Sequence, residues 1–151
     1  MKEYKSQLPE ISLKFKTGEQ KNFQIKTSKD VFEVAKTLLN LDTVELVEEF
    51  LVIYVNKVNR SLGWIRNSTG GITGTVVDLR LIFIPAILSG AAGLICIHNH
   101  PSCNLKPSQQ DIDLTKRIKE SAKILDMVLM DHLIISGDLE QFYSFADEGM
   151  L

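Results

Sequence analysis

The segment from residue 94 to residue 135 constrains the fold most, because two largely apolar runs flank one amphipathic stretch. Leu94–Ile97 and Val128–Ile135 are typical of buried strands, and apolar residues recur at helical spacing over Ser108–Asp126. A strand, a helix and a strand in that order predict parallel strands joined by a right-handed crossover. Ligands of such sheets bind beyond the carboxyl ends of the strands. The residues that follow Ile97 are therefore the first candidates for a functional site.

The other segments predict an α/β (α+β) fold with further strands and helices. The continuous apolar run at Phe50–Val55 is typical of a central strand buried on both faces, and Leu62–Ile65 is suited to pair with it. The residues of Leu79–Gly90 are typical of a helix, and because Leu81–Ile97 is uncharged we expect a buried helix followed by a buried strand. Upstream, alternating apolar residues predict a small hairpin, and a capping box at Thr27 and Asp30 predicts the start of a short amphipathic helix.

The length and composition fit a globular protein. A chain of 151 residues, of which 44% are hydrophobic, can bury about 70% of its unfolded surface. We expect residues 1–43 to form the N-terminal hairpin and helix, packed on a main domain of residues 44–151. The 17 Lys+Arg and 19 Asp+Glu residues give a net charge of −2, which offers no electrostatic reason to bind DNA or an acidic membrane.

Cysteine content and the terminal sequence indicate the compartment. Cys96 and Cys103 are too few for a disulfide framework, which favours a reducing environment. The first ten residues lack the apolar run of a signal peptide. Leu81–Ile97 is uncharged but shorter than the roughly 20 residues that a membrane span needs. We therefore expect a cytoplasmic protein without membrane association.

The residues with the most evident chemical role directly follow the first strand of the predicted strand–helix–strand unit. In an extended backbone His98 and His100 point to the same side, and Pro101 disfavours a helical conformation at His100. Asp111 lies on the first turn of the helix that follows. Two imidazoles and one carboxylate are the ligand set of a catalytic zinc site that keeps its fourth position for water.

Other interpretations are open for some of these residues. Ser108-x-x-Asp111 is also a capping box at a helix start, and only the upstream histidines favour a ligand role for Asp111. His132 alone is more typical of a surface or hydrogen-bonded histidine, either orienting a neighbour of the site or ending a sheet edge. No His-Glu-x-x-His helix is present, so a general base has to come from elsewhere in the chain.

The spacing His98-x-His100, seven residues, Ser108, two residues, Asp111 is similar to the pattern of JAB/JAMM (MPN-like) metalloprotease domains. The surrounding residues resemble the RadC-like proteins of that family over about residues 44–149. The further residues that carry this resemblance are Gly74-Thr75, Arg80, Pro101-Ser102, Pro107, Thr115 and Asp131-His132. The resemblance implies a cytidine-deaminase-like mixed sheet flanked by helices.

The resemblance also implies roles for single residues. His98, His100 and Asp111 would bind Zn²⁺, and Ser108 would help to hold the water or the developing oxyanion. The family glutamate precedes the first long strand in a Glu-x-Phe pattern, which favours Glu48 as the general acid/base. Its rivals, Glu45 and Glu49, are expected to be surface charges.

The expected function is therefore a zinc-dependent hydrolase that cleaves a peptide or isopeptide bond. The alternatives are a DNA-repair-associated protein of the RadC type and a noncatalytic binding protein with a structural metal site. No helix-hairpin-helix region of the RadC kind is recognisable here, so we expect a short form. Cys103 stands where the family has Gly, and its thiol is a candidate for the open coordination position. We expect a peptide or protein substrate as the partner, and the sequence is also compatible with a homo-oligomer.

Overall fold

The chain forms a five-stranded mixed sheet with helices on both faces. In the computed structural model the described residues are 9, 11–12, 14–16, 23–70 and 76–151. In chain order the elements are α1 (Ser28–Leu38), β1 (Glu49–Val55), β2 (Ser61–Thr69), α2 (Leu79–Ser89), β3 (Gly93–His100), α3 (Gln109–Ile124), β4 (Val128–Ser136) and β5 (Phe142–Ser144). The order of the strands across the sheet is β2-β1-β3-β4-β5. The predicted α+β class with a mixed sheet is confirmed.

The predicted strand–helix–strand unit is present. Strands β3 and β4 pair in parallel, and α3 lies between them in sequence. All the other pairs in the sheet are antiparallel. Because β3 and β4 are parallel neighbours inside the sheet, their carboxyl ends lie side by side, and α3 begins close to that edge.

The alternation of side chains along the strands builds two cores. On β1, Leu51 and Ile53 face the core that contains α1, whereas Phe50 and Val52 face the core that contains α2 and α3. All seven residues of β1 are buried, as the continuous apolar run predicted. The sheet is therefore covered on both faces, which is usual for strands of this composition.

The termini of the helices follow from local chemistry. The predicted capping box of α1 is present, with Thr27 and Asp30 each bonding the backbone of the other. Helix α2 ends at Gly90, whose φ of 66° lies in the left-handed region that glycine adopts without strain.

Helix α2 is less buried than the apolar run from Leu81 onward predicted. Ile82 and Ala86 face the core, but Leu81, Ile84 and Ile87 are each about half exposed. The prediction of a buried helix is therefore right for one face and wrong for the other. The reason is that the sheet covers α2 from a single side.

The N-terminal hairpin lies largely outside the described residues. Its turn is not described, and Gln24 forms an isolated antiparallel bridge with Arg60. The Gly74-Thr75 pair also lies outside the described part of the chain. Within the described ranges, every helix is too short or too polar to cross a bilayer.

Candidate metal centre

The two upstream histidines come together at the carboxyl end of β3. This strand extends to His100, beyond the predicted end at Ile97. Because side chains alternate along an extended strand, His98 and His100 fall on the same side, and their Nε2 atoms lie 3.0 Å apart. His98 is almost fully buried, whereas His100 is partly exposed.

Asp111 completes the group from the first turn of α3. Its Oδ1 lies 3.3 Å from Nε2 of His98, and its Oδ2 lies 3.5 Å from Nε2 of His100. Among the described residues, these three side chains form the one group of three or more His, Cys, Asp or Glu residues whose ligand atoms could share a metal ion, and those atoms lie within 4.8 Å of one another.

The distances between the three side chains are compatible with zinc. A tetrahedral ion with bonds of about 2.0–2.1 Å to nitrogen and oxygen holds its ligand atoms about 3.3 Å apart. Nε2 of His98 lies 3.0 Å from Nε2 of His100 and 3.3 Å from Oδ1 of Asp111, both close to this value, whereas His100 approaches the other carboxylate oxygen, Oδ2, at 3.5 Å. Two neutral donors and one anion also leave a fourth position open, as in catalytic zinc sites.

The proton on His100 lies away from the group. Its Nδ1 is 2.5 Å from the backbone carbonyl oxygen of Asn104, and a carbonyl oxygen only accepts hydrogen bonds. His100 therefore carries its proton on Nδ1 and turns the lone pair of Nε2 toward His98 and Asp111. Several lone pairs that converge in this way require a cation between them, either a proton or a metal ion.

The charge of Asp111 gives the group its attraction for a cation. Burial alone would raise the pKa of Asp111, but when a proton is the cation that the imidazoles share at Nε2, the hydrogen bonds from His100 and His98 outweigh burial and hold this pKa well below its usual range. Burial would lower the pKa of His100, but Asp111, the carbonyl oxygen of Asn104 and the charge of Glu48 together outweigh burial and raise the pKa of that imidazole. Asp111 is therefore ionised at neutral pH.

Ser108 and Asp111 also form the capping box. The Oγ of Ser108 accepts a hydrogen bond from the N–H of Asp111 at 3.1 Å, and Oδ2 of Asp111 accepts one from the N–H of Ser108 at 2.7 Å. The two interpretations of Ser108-x-x-Asp111 are compatible, because the cap orients the carboxylate while Oδ1 faces His98. Ser108 itself is exposed.

The two adjacent glutamates at the start of β1, Glu48 just before the strand and Glu49 as its first residue, have different surroundings. Glu48 is partly buried, and burial raises its pKa; the other charges that act on it are those of His98, His100 and Asp111. Glu48 is therefore close enough to His98, His100 and Asp111 to interact with them electrostatically.

Glu49 is not a surface charge, contrary to the prediction. It is 3% exposed, its Oε1 lies 2.7 Å from Nε of Arg66, and its Oε2 accepts the backbone N–H of Asn40 at 2.9 Å. The prediction was wrong because the burial of Glu49 depends on a partner on the neighbouring strand β2. Glu45 is exposed, as expected.

Asn99 is a functional candidate that the sequence reasoning missed. It lies between the two histidines, is fully buried and points to the opposite face of β3. Its Nδ2 donates to the carbonyl oxygens of Val44 and Val47, and its Oδ1 accepts the N–H of Glu49. Asn99 thus ties the loop before β1 to the strand that carries the histidines. A polar residue inside an otherwise buried strand was the available signal.

His132 is a hydrogen-bonded histidine, in agreement with the prediction. It is fully buried on β4, an inner strand, so it does not end a sheet edge. Its Nε2 lies 2.7 Å from Nδ1 of His98, and its Nδ1 lies 2.6 Å from Oγ1 of Thr115. Burial and the neighbouring His98 lower the pKa of His132 well below its usual value, so the ring is neutral.

Cys103 occupies a position that favours glycine. Its φ is 60°, in the left-handed region, which accords with the family glycine at this place. Its thiol is exposed and lies 3.9 Å from the carbonyl oxygen of Pro101. The thiol is not among the ligand atoms that lie within 4.8 Å of one another, so the geometry does not support Cys103 in the open position.

The fold and the site agree with the comparison of this chain with known families. The RadC-like JAB domain family matches residues 25–150, and the chain belongs to this family. The matched residues include α1, α2, α3 and all five strands of the sheet. The division of the chain at residues 43 and 44 stays a prediction.

Several bacterial proteins named "UPF0758 protein" are similar to this chain. The protein of Flavobacterium johnsoniae is 44% identical over 128 residues, which is 84% of this chain and 53% of that protein. The protein of Porphyromonas gingivalis is 43% identical over 104 residues, 69% of this chain and 45% of that protein. The protein of Salinibacter ruber is 38% identical over 129 residues, 85% of this chain and 53% of that protein. The chain thus spans about half the length of these relatives.

Proposed function

We propose that this domain is a zinc-dependent hydrolase of the JAB/JAMM class that cleaves a peptide or isopeptide bond. The observation that carries the proposal is the convergence of Nε2 of His98, Nε2 of His100 and the carboxylate of Asp111 at the carboxyl end of β3. His98, His100 and Asp111 would hold the ion. A bound zinc ion supplies Lewis acidity toward a carbonyl oxygen and lowers the pKa of water to about 7.

Glu48 is the proposed general acid/base. It would take a proton from the attacking water and return it to the leaving amine, a role that requires a carboxylate close to the ligand group. The raised pKa of Glu48, which is caused by its burial, supports this role because a more basic carboxylate is a better proton acceptor near neutral pH. Glu49 is already bonded to Arg66 and to the backbone of Asn40.

Ser108 is the proposed oxyanion partner. Its Oγ accepts the N–H of Asp111, and this leaves its single hydroxyl proton for another acceptor. A hydroxyl donor directed at the oxygen of a tetrahedral intermediate stabilises the charge that develops there.

The net charge of −2 does not favour the DNA-associated alternative.

Hydrolysis by the zinc-loaded protein tests this proposal. Linear and lysine-linked peptide libraries are incubated with the protein, and new amine termini are identified by mass spectrometry. Chelation should abolish cleavage, and added zinc should restore it. Glu48→Gln should keep the metal and lose about 10²–10⁴-fold in rate, whereas Glu45→Gln, an exposed neighbour, should cleave like the wild type. Cleavage by Glu48→Gln at the wild-type rate, or no cleavage by a fully loaded wild type, would contradict the proposal.

A further inference from the structure

A chain of hydrogen bonds lies behind the candidate metal ligands. It runs from Nδ1 of His98 to Nε2 of His132, from Nδ1 of His132 to Oγ1 of Thr115, and from Oγ1 of Thr115 to the backbone carbonyl oxygen of Asp111. The three contacts measure 2.7, 2.6 and 2.6 Å. The chain begins at one candidate ligand and ends at another, so it links the two sides of the site.

The direction of every hydrogen bond in this chain follows from its last member. The carbonyl oxygen of Asp111 only accepts, so the single hydroxyl proton of Thr115 is donated to it. The hydroxyl oxygen of Thr115 is then left as an acceptor for the Nδ1–H of His132. A neutral imidazole carries one proton, so Nε2 of His132 accepts the Nδ1–H of His98.

We infer that Thr115 and His132 are positioning residues that fix the tautomer of His98 and direct its Nε2 lone pair at the metal position. With Nδ1 protonated, Nε2 of His98 carries the lone pair that faces His100 and Asp111. In the opposite tautomer the Nε2 proton would occupy the place of the ion. The inference rests on the proposed metal site, because it assigns what sets the state of one of its ligands.

The surroundings of His132 keep this arrangement in place. The ring of Phe145 stacks on the ring of His132 with 4.9 Å between the ring centroids. The ring of Phe50 packs against the ring of His132 in an edge-to-face arrangement, with 5.5 Å between the centroids. Thr115 and His132 are both buried, so water does not replace their partners. A histidine ligand whose second nitrogen is held in this way has a fixed ring orientation, and such outer partners typically change metal affinity by about 10–100-fold.

Removal of the hydroxyl at position 115 tests the inference. Thr115→Val keeps the shape of the side chain but leaves the Nδ1–H of His132 without its acceptor. We expect zinc affinity, measured by competition with a chelator, to fall about 10–100-fold. Thr115→Ser restores the hydroxyl and should bind zinc within about threefold of the wild type.

Thr37→Val is the control for the loss of a helix hydroxyl, at an exposed position of α1. The hydroxyl of Thr37 donates to a helix carbonyl oxygen, that of Val34, at 2.7 Å, but it contacts no imidazole. If Thr115 acted only as a helix residue, Thr115→Val and Thr37→Val would lower thermal stability and leave zinc affinity unchanged. That result would overturn the inference.

The tautomers can also be read in the wild type without any metal or activity. Nitrogen-15 NMR of the imidazole rings should show a proton on Nδ1 of both His98 and His132 and no proton on Nε2 of His132. An Nε2–H form at His132 would contradict the inference even if the protein binds zinc. A wild type with the expected tautomers that takes up no zinc would instead contradict the proposed function.

Discussion

Asn99 holds Glu49 by a hydrogen bond of 2.8 Å from the backbone N–H of Glu49 to Oδ1 of Asn99. The two residues lie 50 positions apart in the sequence, on the adjacent strands β3 and β1. Asn99 stands between the two candidate histidine ligands and Glu48 directly precedes Glu49, so this bond ties the backbone next to Glu48 to the strand that carries the histidines. The buried side-chain amide of Asn99 therefore connects the segment of the candidate base to the strand of the candidate ligands.

Loss of this amide should loosen the loop that carries Glu48. Asn99→Ala leaves the N–H of Glu49 and the carbonyl oxygens of Val44 and Val47 without their partner. Each unpaired buried group costs about 1–3 kcal/mol, so the free energy of unfolding in urea should fall by at least about 2 kcal/mol. Asn40→Ala, which loses one exposed hydrogen bond, should cost under about 1 kcal/mol. Equal stability of Asn99→Ala and the wild type would show that the bonds do not hold the loop.

Glu49→Gln and Glu48→Gln should separate structure from chemistry. Glu49→Gln loses a buried charged partner of Arg66, so we expect a loss of about 1–3 kcal/mol in stability, with zinc binding and the cleavage rate of the folded protein unchanged. Glu48→Gln should show the reverse: unchanged stability and lost cleavage. The roles would be exchanged if Glu49→Gln abolished cleavage without lowering the unfolding midpoint.

Cys103→Gly should stabilise the loop between His100 and α3. The residue has a φ of 60°, which costs about 1–2 kcal/mol for a residue with a Cβ and nothing for glycine. The greater freedom of glycine in the unfolded chain offsets part of this, so a gain of up to about 1 kcal/mol is expected. Cys103→Ser keeps the Cβ and should show no gain. Loss of zinc from either variant would identify the thiol as a ligand.

Gly137→Ala should disturb the loop that follows His100. A Cβ at position 137 would lie 2.7 Å from the carbonyl oxygen of Pro101, and Gly137 also donates its N–H to the carbonyl oxygen of His100 at 3.0 Å. Both neighbours are backbone atoms and cannot move alone. We therefore expect a lower melting temperature together with weaker zinc binding. An alanine variant that melts and binds zinc like the wild type would contradict the close approach.

The sequence was sufficient for the parts of the molecule that local patterns specify. The periodicity of Leu94–Ile97, Ser108–Asp126 and Val128–Ile135 predicted β3, α3, β4 and the parallel pairing. The group of His98, His100 and Asp111 spans only 14 positions, and its geometry follows from a strand end and a helix start. Both features depend on short stretches of chain, in which the spacing of residues along a strand or a helix determines the direction of their side chains.

The parts that the sequence did not predict depend on distant partners. Glu49 is buried because Arg66 on β2 meets it, and β2 is brought there by the sheet register. The contact of His98 with His132 joins residues 34 positions apart. A single sequence carries no signal for such pairs, because nothing in the local spacing of either residue indicates its partner.

The metal content of the purified protein tests the central claim most directly. Metal-free wild type and His98→Ala are titrated with zinc against a chelator of known affinity, and bound zinc is measured by elemental analysis, with circular dichroism to confirm that both are folded. We predict one zinc ion per chain for the wild type and less than about one tenth of that for His98→Ala, because a site with two of three protein ligands holds zinc weakly. A wild type that takes up no zinc, or a folded His98→Ala protein that binds it as tightly as the wild type, would contradict the account.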